Sequence, residues 1–270
     1  MQLEINIIDA FTEHVFEGNQ AAVIITDDWL TEDLMQAIAS ENNLSETAFL
    51  VAEGDDHYHI RWFSPLTEIA FCGHATLAAA FVLFSKRPST HTPSKDVLYF
   101  SAKAVGTLSV VQNGQQSFTM DFPNTCPQKA TEIPAEIQQG LSIQPAELYQ
   151  NQQAYFVIYN SEADVRAVQR NNDLLKRLYP RDVVVTSHAE SADYDFVSRY
   201  FWPANGGDED PVTGSIHTGL APFWAARLGK DRLIAYQASA RGGLLDCRVE
   251  GSRVYITGKA AQYLTGTITV

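Results

Sequence analysis

Glu46 is an acid that enters an apolar run, Thr47-Ala48-Phe49-Leu50-Val51. A carboxylate at the mouth of a buried strand must be paired, or its pKa rises into the range where a general acid or base works near neutral pH. The alternative is a glutamate facing solvent at a strand edge. Two glycines, Gly73 and Gly214, each open an apolar helical pattern with small residues, Gly73-His74-Ala75-Thr76 and Gly214-Ser215-Ile216-His217. The first N–H groups of a helix lack partners within it and carry partial positive charge, so such ends can hold a carboxylate or an enolate oxygen. Equally, the glycines can serve only as tight strand-to-helix turns. His74 reads either as a structural histidine or as an acid-base group. Asp208, Glu209 and Asp210 precede the second glycine as Glu68 precedes the first. Acids there are caps or a solvated loop, although Asp210 could orient a nearby imidazole.

Positioning these groups requires a scaffold, and the sequence predicts one made largely of strands. Short β-branched or alternating runs ending at turn residues include QLEINIIDAF, AAVIIT, TAFLVAE, YHIRWFS, VLYFSAK, GTLSVVQNGQQSFTMDF, AYFVIYN and RVYITG. Helical patterns cover Thr31 to Asn42, with a Thr31 cap and acids in the first turn, and Gly73 to Phe84. The second is apolar on nearly every face, which predicts a buried helix wrapped by curved sheet.

An internal repeat supports that picture. Arg61-Trp62-Phe63-Ser64-Pro65 returns 138 residues later as Arg199-Tyr200-Phe201-Trp202-Pro203. Gly73 returns as Gly214 after 141 residues, and the pair Gly106 and Gly114 returns as Gly243 and Gly251 after 137. The expected fold class is α+β, with two pseudo-symmetric half-domains, each a curved sheet or barrel around a central helix. The expected boundaries are 1–122 for the first half, 123–146 for a linker and 147–261 for the second half, with a last strand, 262–270, able to join either. A ligand cleft between the halves follows from that arrangement. No acid equivalent to Glu46 is evident in the second half, so the repeat is expected to be symmetric in scaffold but not in this group.

The 270 residues can fill a sizeable core, and a net charge of -13 argues against nucleic acid and anionic lipid as partners. No run approaches the length of a membrane-spanning helix, and MQLEINIIDAF lacks the features of a signal peptide, so a cytoplasmic location is expected. Cys72, Cys126 and Cys247 are widely spaced and odd in number, which predicts reduced thiols and no metal site.

At these residues the chain resembles the PhzF-like family of phenazine biosynthesis, related in fold to diaminopimelate epimerase and proline racemase. The matching segments are DAFT from Asp9, GNQAAV from Gly18, NLSETAF from Asn43, RWFSP with EIAFCGHAT from Arg61 to Thr76, and EDPVTGSIH from Glu209 to His217. The resemblance implies a diaminopimelate-epimerase-like fold and a cofactor-independent isomerase that moves a proton next to a carboxylate on a small metabolite. It places the general acid/base on Glu46, with His74 and Asp210 assisting. Backbone N–H groups of Gly73, His74, Gly214 and Ser215 would stabilise the developing charge, and Asn19 would contact substrate. It also suggests a homodimer.

Related racemases place a cysteine before each helix-opening glycine. Here those positions hold Cys72 and Thr213, and a threonine hydroxyl has no accessible pKa for the task. A two-thiol racemase is therefore disfavoured. A Cys72-dependent single-thiol epimerase or dehydratase, and a non-catalytic metabolite-binding protein, stand as alternatives.

Overall fold

The computed structural model describes residues 1–87, 96–114 and 116–270. Gln115, within the expected hairpin from Gly106 to Phe122, lies outside the described residues. The chain divides into two compact units, residues 1–121 with 257–270, and residues 122–256.

Unit 1 runs through β1 (Gln2–Ala10), β2 (Asn19–Thr26), α1 (Glu32–Asn42), β3 (Glu46–Gly54), β4 (His57–Phe63), β5 (Glu68–Ile69), α2 (Gly73–Ser85), β6 (Val97–Ala102), β7 (Gly106–Gln112) and most of β8 (Ser117–Pro123). Thr31 caps α1 by accepting from the Leu34 N–H, and Asn43 ends it in the left-handed region at φ 48°. Met35, Ile38 and Ala39 form the helix's inner stripe and pack with Ile24, Phe49 and Phe63. In α2 every residue from Gly73 to Phe84 is buried, so this helix has no solvent face and forms the centre of the unit.

Unit 2 contains β9 (Gln128–Lys129), α3 (Ala135–Gly140), β10 (Glu147–Gln150), β11 (Ala154–Ile158), α4 (Glu162–Ala167), α5 (Asn172–Leu175), β12 (Asp182–His188), β13 (Phe196–Phe201), β14 (Glu209–Asp210), α6 (His217–Leu228), β15 (Arg232–Gln237), β16 (Gly243–Glu250) and the start of β17 (Arg253–Thr269). The 123–146 stretch, read from sequence as a linker, carries β9 and α3, and Ile137 and Leu141 are buried in this unit's core. The C-terminal part of β17 belongs to unit 1 and pairs antiparallel with β1, from Gln2 opposite Thr269 to Ala10 opposite Ala260.

The repeat seen in the sequence is a repeat of strand pairing. In unit 1, β2 lies parallel to β3, β3 antiparallel to β4, β4 antiparallel to β5 and parallel to β6, and β6 antiparallel to β7. In unit 2 the same five relations link β11, β12, β13, β14, β15 and β16 in the same order. Each unit also repeats one fork. Arg61 grips Glu68 with two hydrogen bonds of 2.7 and 2.6 Å, and Arg199 grips Glu209 with two of 2.8 Å, pinning the short strand ahead of the helix. No helix among the described residues is long and apolar enough to cross a membrane.

Candidate active site

The start of α2 and the first residue of β3 bring Glu46, Cys72 and His74 together in unit 1. Glu46 is buried at 8% exposure, opposite Ala21 on the parallel strand β2. His74 Nε2 lies 3.0 Å from Glu46 Oε2, and Asn19 Nδ2 lies 3.1 Å from His74 Nδ1. Oε2 receives no aligned hydrogen bond among the described residues, so the contact is an ion pair that leaves carboxylate lone pairs open. In the neutral ring an Asn19 NH₂ group aimed at Nδ1 makes that nitrogen the acceptor, whereas in the imidazolium Nδ1 donates and the Asn19 amide presents its oxygen instead. Nε2 carries the hydrogen of that neutral ring, and in the imidazolium it carries one as well, so Glu46 faces an N–H in both states.

Electrostatics couple the three groups. Burial disfavours a charged His74 ring, but the charges of an ionised Cys72 and of Glu46 outweigh it and hold the imidazole well above its ordinary pKa. Cys72 Sγ lies 3.4 Å from His74 Nδ1. Burial, and then the Glu46 carboxylate, push this thiol up to about 11. At neutral pH the thiol is therefore protonated, so the larger of the two raising influences on His74 is absent there and Glu46 alone opposes burial. Glu46, Cys72 and His74 also offer three ligand atoms within 4.8 Å of one another, so this cluster could hold a metal ion, which the sequence did not lead us to expect.

Local folding explains how the residues reach these places. Gly18 sits at φ +64°, and a Cβ there would fall 2.2 Å from the Ala10 carbonyl oxygen. Only glycine therefore permits the turn that delivers the fully buried Asn19 into β2. Thr76 closes the first turn of α2 by donating its hydroxyl to the Cys72 carbonyl at 2.6 Å. The N–H groups of Gly73 and His74 fall in that first turn, where a helix leaves its donors without partners of its own.

The remaining candidates lie in unit 2. α6 begins at His217, and a turn of i to i+3 hydrogen bonds, His217 to Gly214 and Thr218 to Ser215, separates it from the glycine expected to open it. Asp210 Oδ2 accepts from the Thr213 hydroxyl at 2.5 Å. Gln237 braces the same turn, accepting from the Thr213 N–H at 2.9 Å and donating to the Asp210 carbonyl at 2.8 Å. Asp208 and Glu209 are held by Arg170, and Glu209 also by Arg199, so these two acids are structural.

His217 is a functional-looking residue that the sequence reading passed over. Its Nδ1–H donates to the Thr213 carbonyl at 2.8 Å, the place Thr76 takes in unit 1, and burial lowers its pKa to about 4. The absence of a second-half counterpart to Glu46 is corrected by register. Ala21 pairs with Glu46 and Thr47 with Phe63; Ala154 pairs with Asp182 and Val183 with Phe201. Asp182 thus stands where Glu46 stands, 8% exposed, with its pKa raised to about 6 by burial against hydrogen bonds from Tyr200 and Asn205. The visible clue was an acid leading an apolar run, Asp182-Val183-Val184-Val185, as Glu46 leads its own.

A groove of about 1190 Å³ in unit 1, lined by Trp29, Arg61 and Glu68 among others, includes none of Glu46, Cys72 or His74. The chemistry of the residues, rather than the volume of a groove, marks the candidate site.

Comparison with known proteins shows the family and the fold. The family described as phenazine biosynthesis-like protein matches residues 8–266. An uncharacterized isomerase of Pseudomonas aeruginosa is 47% identical over 99% of both chains. The crystal structure of a PhzF family phenazine biosynthesis protein from Enterococcus faecalis superposes with a TM-score of 0.91 at 41% identity, covering 100% of both chains. A predicted epimerase of Pseudomonas aeruginosa, at 19% identity and a TM-score of 0.75 over 99% of both chains, shares the diaminopimelate-epimerase-like fold.

Proposed function

Since the chain belongs to the phenazine biosynthesis-like (PhzF) family of isomerases, we propose that it moves a proton next to a carboxylate on a small metabolite, with Glu46 as the general acid/base. The observation that carries this reading is the buried Glu46 carboxylate 3.0 Å from His74 Nε2 with lone pairs still open. In the proposed step the carboxylate removes a C–H proton, and the C–H electron pair moves into the adjacent π system as an enolate. The protonated Glu46, whose proton exchanges with solvent, then delivers a proton to a carbon of the same delocalised anion, so no external oxidant or reductant is consumed. His74 Nε2 lies against Glu46, and Asn19 holds the ring in place. The first-turn N–H groups of Gly73 and His74 supply donors for the enolate oxygen.

Gly214 and Ser215 are proposed as substrate-binding donors, and Asp210 supports their turn through Thr213. The reaction as written needs no cofactor, and a cytoplasmic homodimer belongs to the same reading. Proton–deuteron exchange in heavy water, followed by NMR with a pool of small carboxylic acids, is the test. Loss of one C–H signal with wild type but not with Glu46→Gln is the expected result. Equal exchange by the two proteins would remove Glu46 from this role.

The 3.4 Å approach of Cys72 Sγ to His74 Nδ1 supports a second reading, a single-thiol epimerase or dehydratase. Its weakness is the raised thiol pKa, which makes Cys72 a scarce base at neutral pH. Exchange that survives Glu46→Gln but disappears in Cys72→Ala would select it. A metabolite that binds tightly and never exchanges would favour a non-catalytic binder.

A further inference from the structure

We propose that Asp182 is a positioning residue that fixes Ser215 as a hydrogen-bond donor, acting through Tyr200 and Gln153. The inference rests on the reading above that Ser215 meets a substrate oxygen. Donor order in the chain follows from the chemistry of each member. An ionised Asp182 only accepts: Oδ2 takes the Tyr200 O–H at 2.7 Å and Oδ1 takes Asn205 Nδ2 at 2.8 Å. With its one proton committed, the Tyr200 oxygen accepts from Gln153, whose NH₂ group lies 3.3 Å away. The other hydrogen of that NH₂ reaches Ser215 Oγ at 2.9 Å. Ser215 then has its lone pair occupied from within, and its own O–H is left to donate outward.

Protonating Asp182 reverses the order. The carboxylic acid donates to the Tyr200 oxygen, Tyr200 donates to a Gln153 amide turned to present its Oε1, and Ser215 donates to that same oxygen. A donor toward substrate becomes an acceptor, which a carboxylate or enolate oxygen repels.

Placement suits the task. Asp182 is buried, Gln153 and Ser215 are partly exposed, and Gln153 lines a cavity of about 760 Å³ together with Arg181, Lys129 and Asn151. The chain therefore runs from a buried charge to a partly exposed hydroxyl. Burial raises Asp182 to about 6, within reach of physiological pH. The groups around it are Tyr200 of β13 and Asn205 of the following turn, while Asp210 on β14 adds negative charge near Tyr200. Arg181, its neighbour in sequence, is turned to the Asn151 carbonyl at 2.7 Å and the Tyr155 ring.

The test uses the full-length protein labelled with ¹³C and ¹⁵N and titrated from about pH 4.5 to about 8, a range that spans the expected carboxyl midpoint. The Asp182 carboxyl carbon, the Gln153 side-chain NH₂ and the Ser215 Cβ signals are expected to share one midpoint near 6. In Tyr200→Phe, Asp182 should still titrate while Gln153 and Ser215 cease to follow it. Ser215 signals that ignore the Asp182 midpoint in the wild type, or that follow it unchanged in Tyr200→Phe, overturn the proposal.

The exchange assay supplies the functional half. Wild type should lose rate roughly three- to tenfold as pH falls through the midpoint, the worth of one reoriented hydrogen bond, and Asp182→Asn should lack that limb. An unchanged limb in Asp182→Asn overturns the relay. Undiminished exchange by Ser215→Ala overturns the substrate-contact reading beneath it, while the linked titration stands or falls separately.

Discussion

The two units share strand pairing, an Arg–Glu fork and a helix-start turn, yet they treat their buried polar groups in opposite ways. Unit 1 pairs its strand-leading acid with an imidazole, Glu46 with His74, and the carboxylate favours the imidazole's charged form. Unit 2 pairs its strand-leading acid with a phenol, Asp182 with Tyr200, and keeps its buried imidazole, His217, neutral. A charged pair with open lone pairs can take and return a proton. A chain of neutral donors around a shielded carboxylate can orient groups but has no base ready at its outer end. Duplication of a scaffold thus supplies two equivalent positions, and the partner residue decides whether an acid there reacts or directs.

The largest effect that could break this comparison is on turnover. Glu46→Gln should lower the exchange rate by roughly 10²- to 10⁴-fold with the fold intact, whereas Asp182→Asn at pH 7 should lower it by less than about tenfold, since asparagine still accepts from Tyr200. Equal losses would mean that the two acids play equivalent parts. Circular dichroism on both variants separates a chemical loss from unfolding.

Stability against pH sharpens the comparison within unit 2. His217 has a folded pKa of about 4, below the unfolded histidine value, so its contribution is lost as pH falls from about 6.5 through 4. Asp182 has a folded pKa of about 6, above the unfolded value, so its contribution is present below about 4 and lost as pH rises through 6. Each shift corresponds to roughly 3 kcal/mol with opposite sign, so the two nearly offset one another between about pH 4 and 6. Chemical denaturation should therefore show a shallow pH dependence for this pair in the wild type. Asp182→Asn should be destabilised further by acid, and His217→Asn, which keeps a donor for the Thr213 carbonyl, should gain stability on acidification. Parallel pH curves for all three proteins would contradict the two shifts.

Much of this was legible in the sequence because it is carried by residue type and spacing. The RWFSP and RYFWP segments marked β4 and β13, the Thr31 cap marked α1, and an unbroken apolar pattern marked α2 as central. Glu46 stood out because a carboxylate before Thr47-Ala48-Phe49 conflicts with its apolar neighbours. Asp182 escaped notice although its spacing from Glu46, 136 residues, falls beside the repeat offsets of 137 to 141, because only strand register shows that both acids stand opposite an alanine on the parallel strand. The links from Gln153 to Ser215 and from His217 to Thr213 depend on side-chain reach, which no spacing rule encodes.

The smallest expected effect concerns Cys72. Its position before Gly73 matches that of Thr213 before Gly214, and neither side chain has an ionised form at neutral pH on which the proposed step depends. Cys72→Ser keeps a small group beside His74 Nδ1 and should change the exchange rate by no more than about threefold, with a stability loss on the order of 1 kcal/mol for a polar replacement of a buried thiol. The informative readout is the His74 titration by NMR. Because Glu46 supplies the charge that acts on the ring at neutral pH, the midpoint should hold at its wild-type value in Cys72→Ser and fall in Glu46→Gln. A midpoint that falls in Cys72→Ser and holds in Glu46→Gln would transfer the partnership to the thiol, and the single-thiol reading would then account better for unit 1.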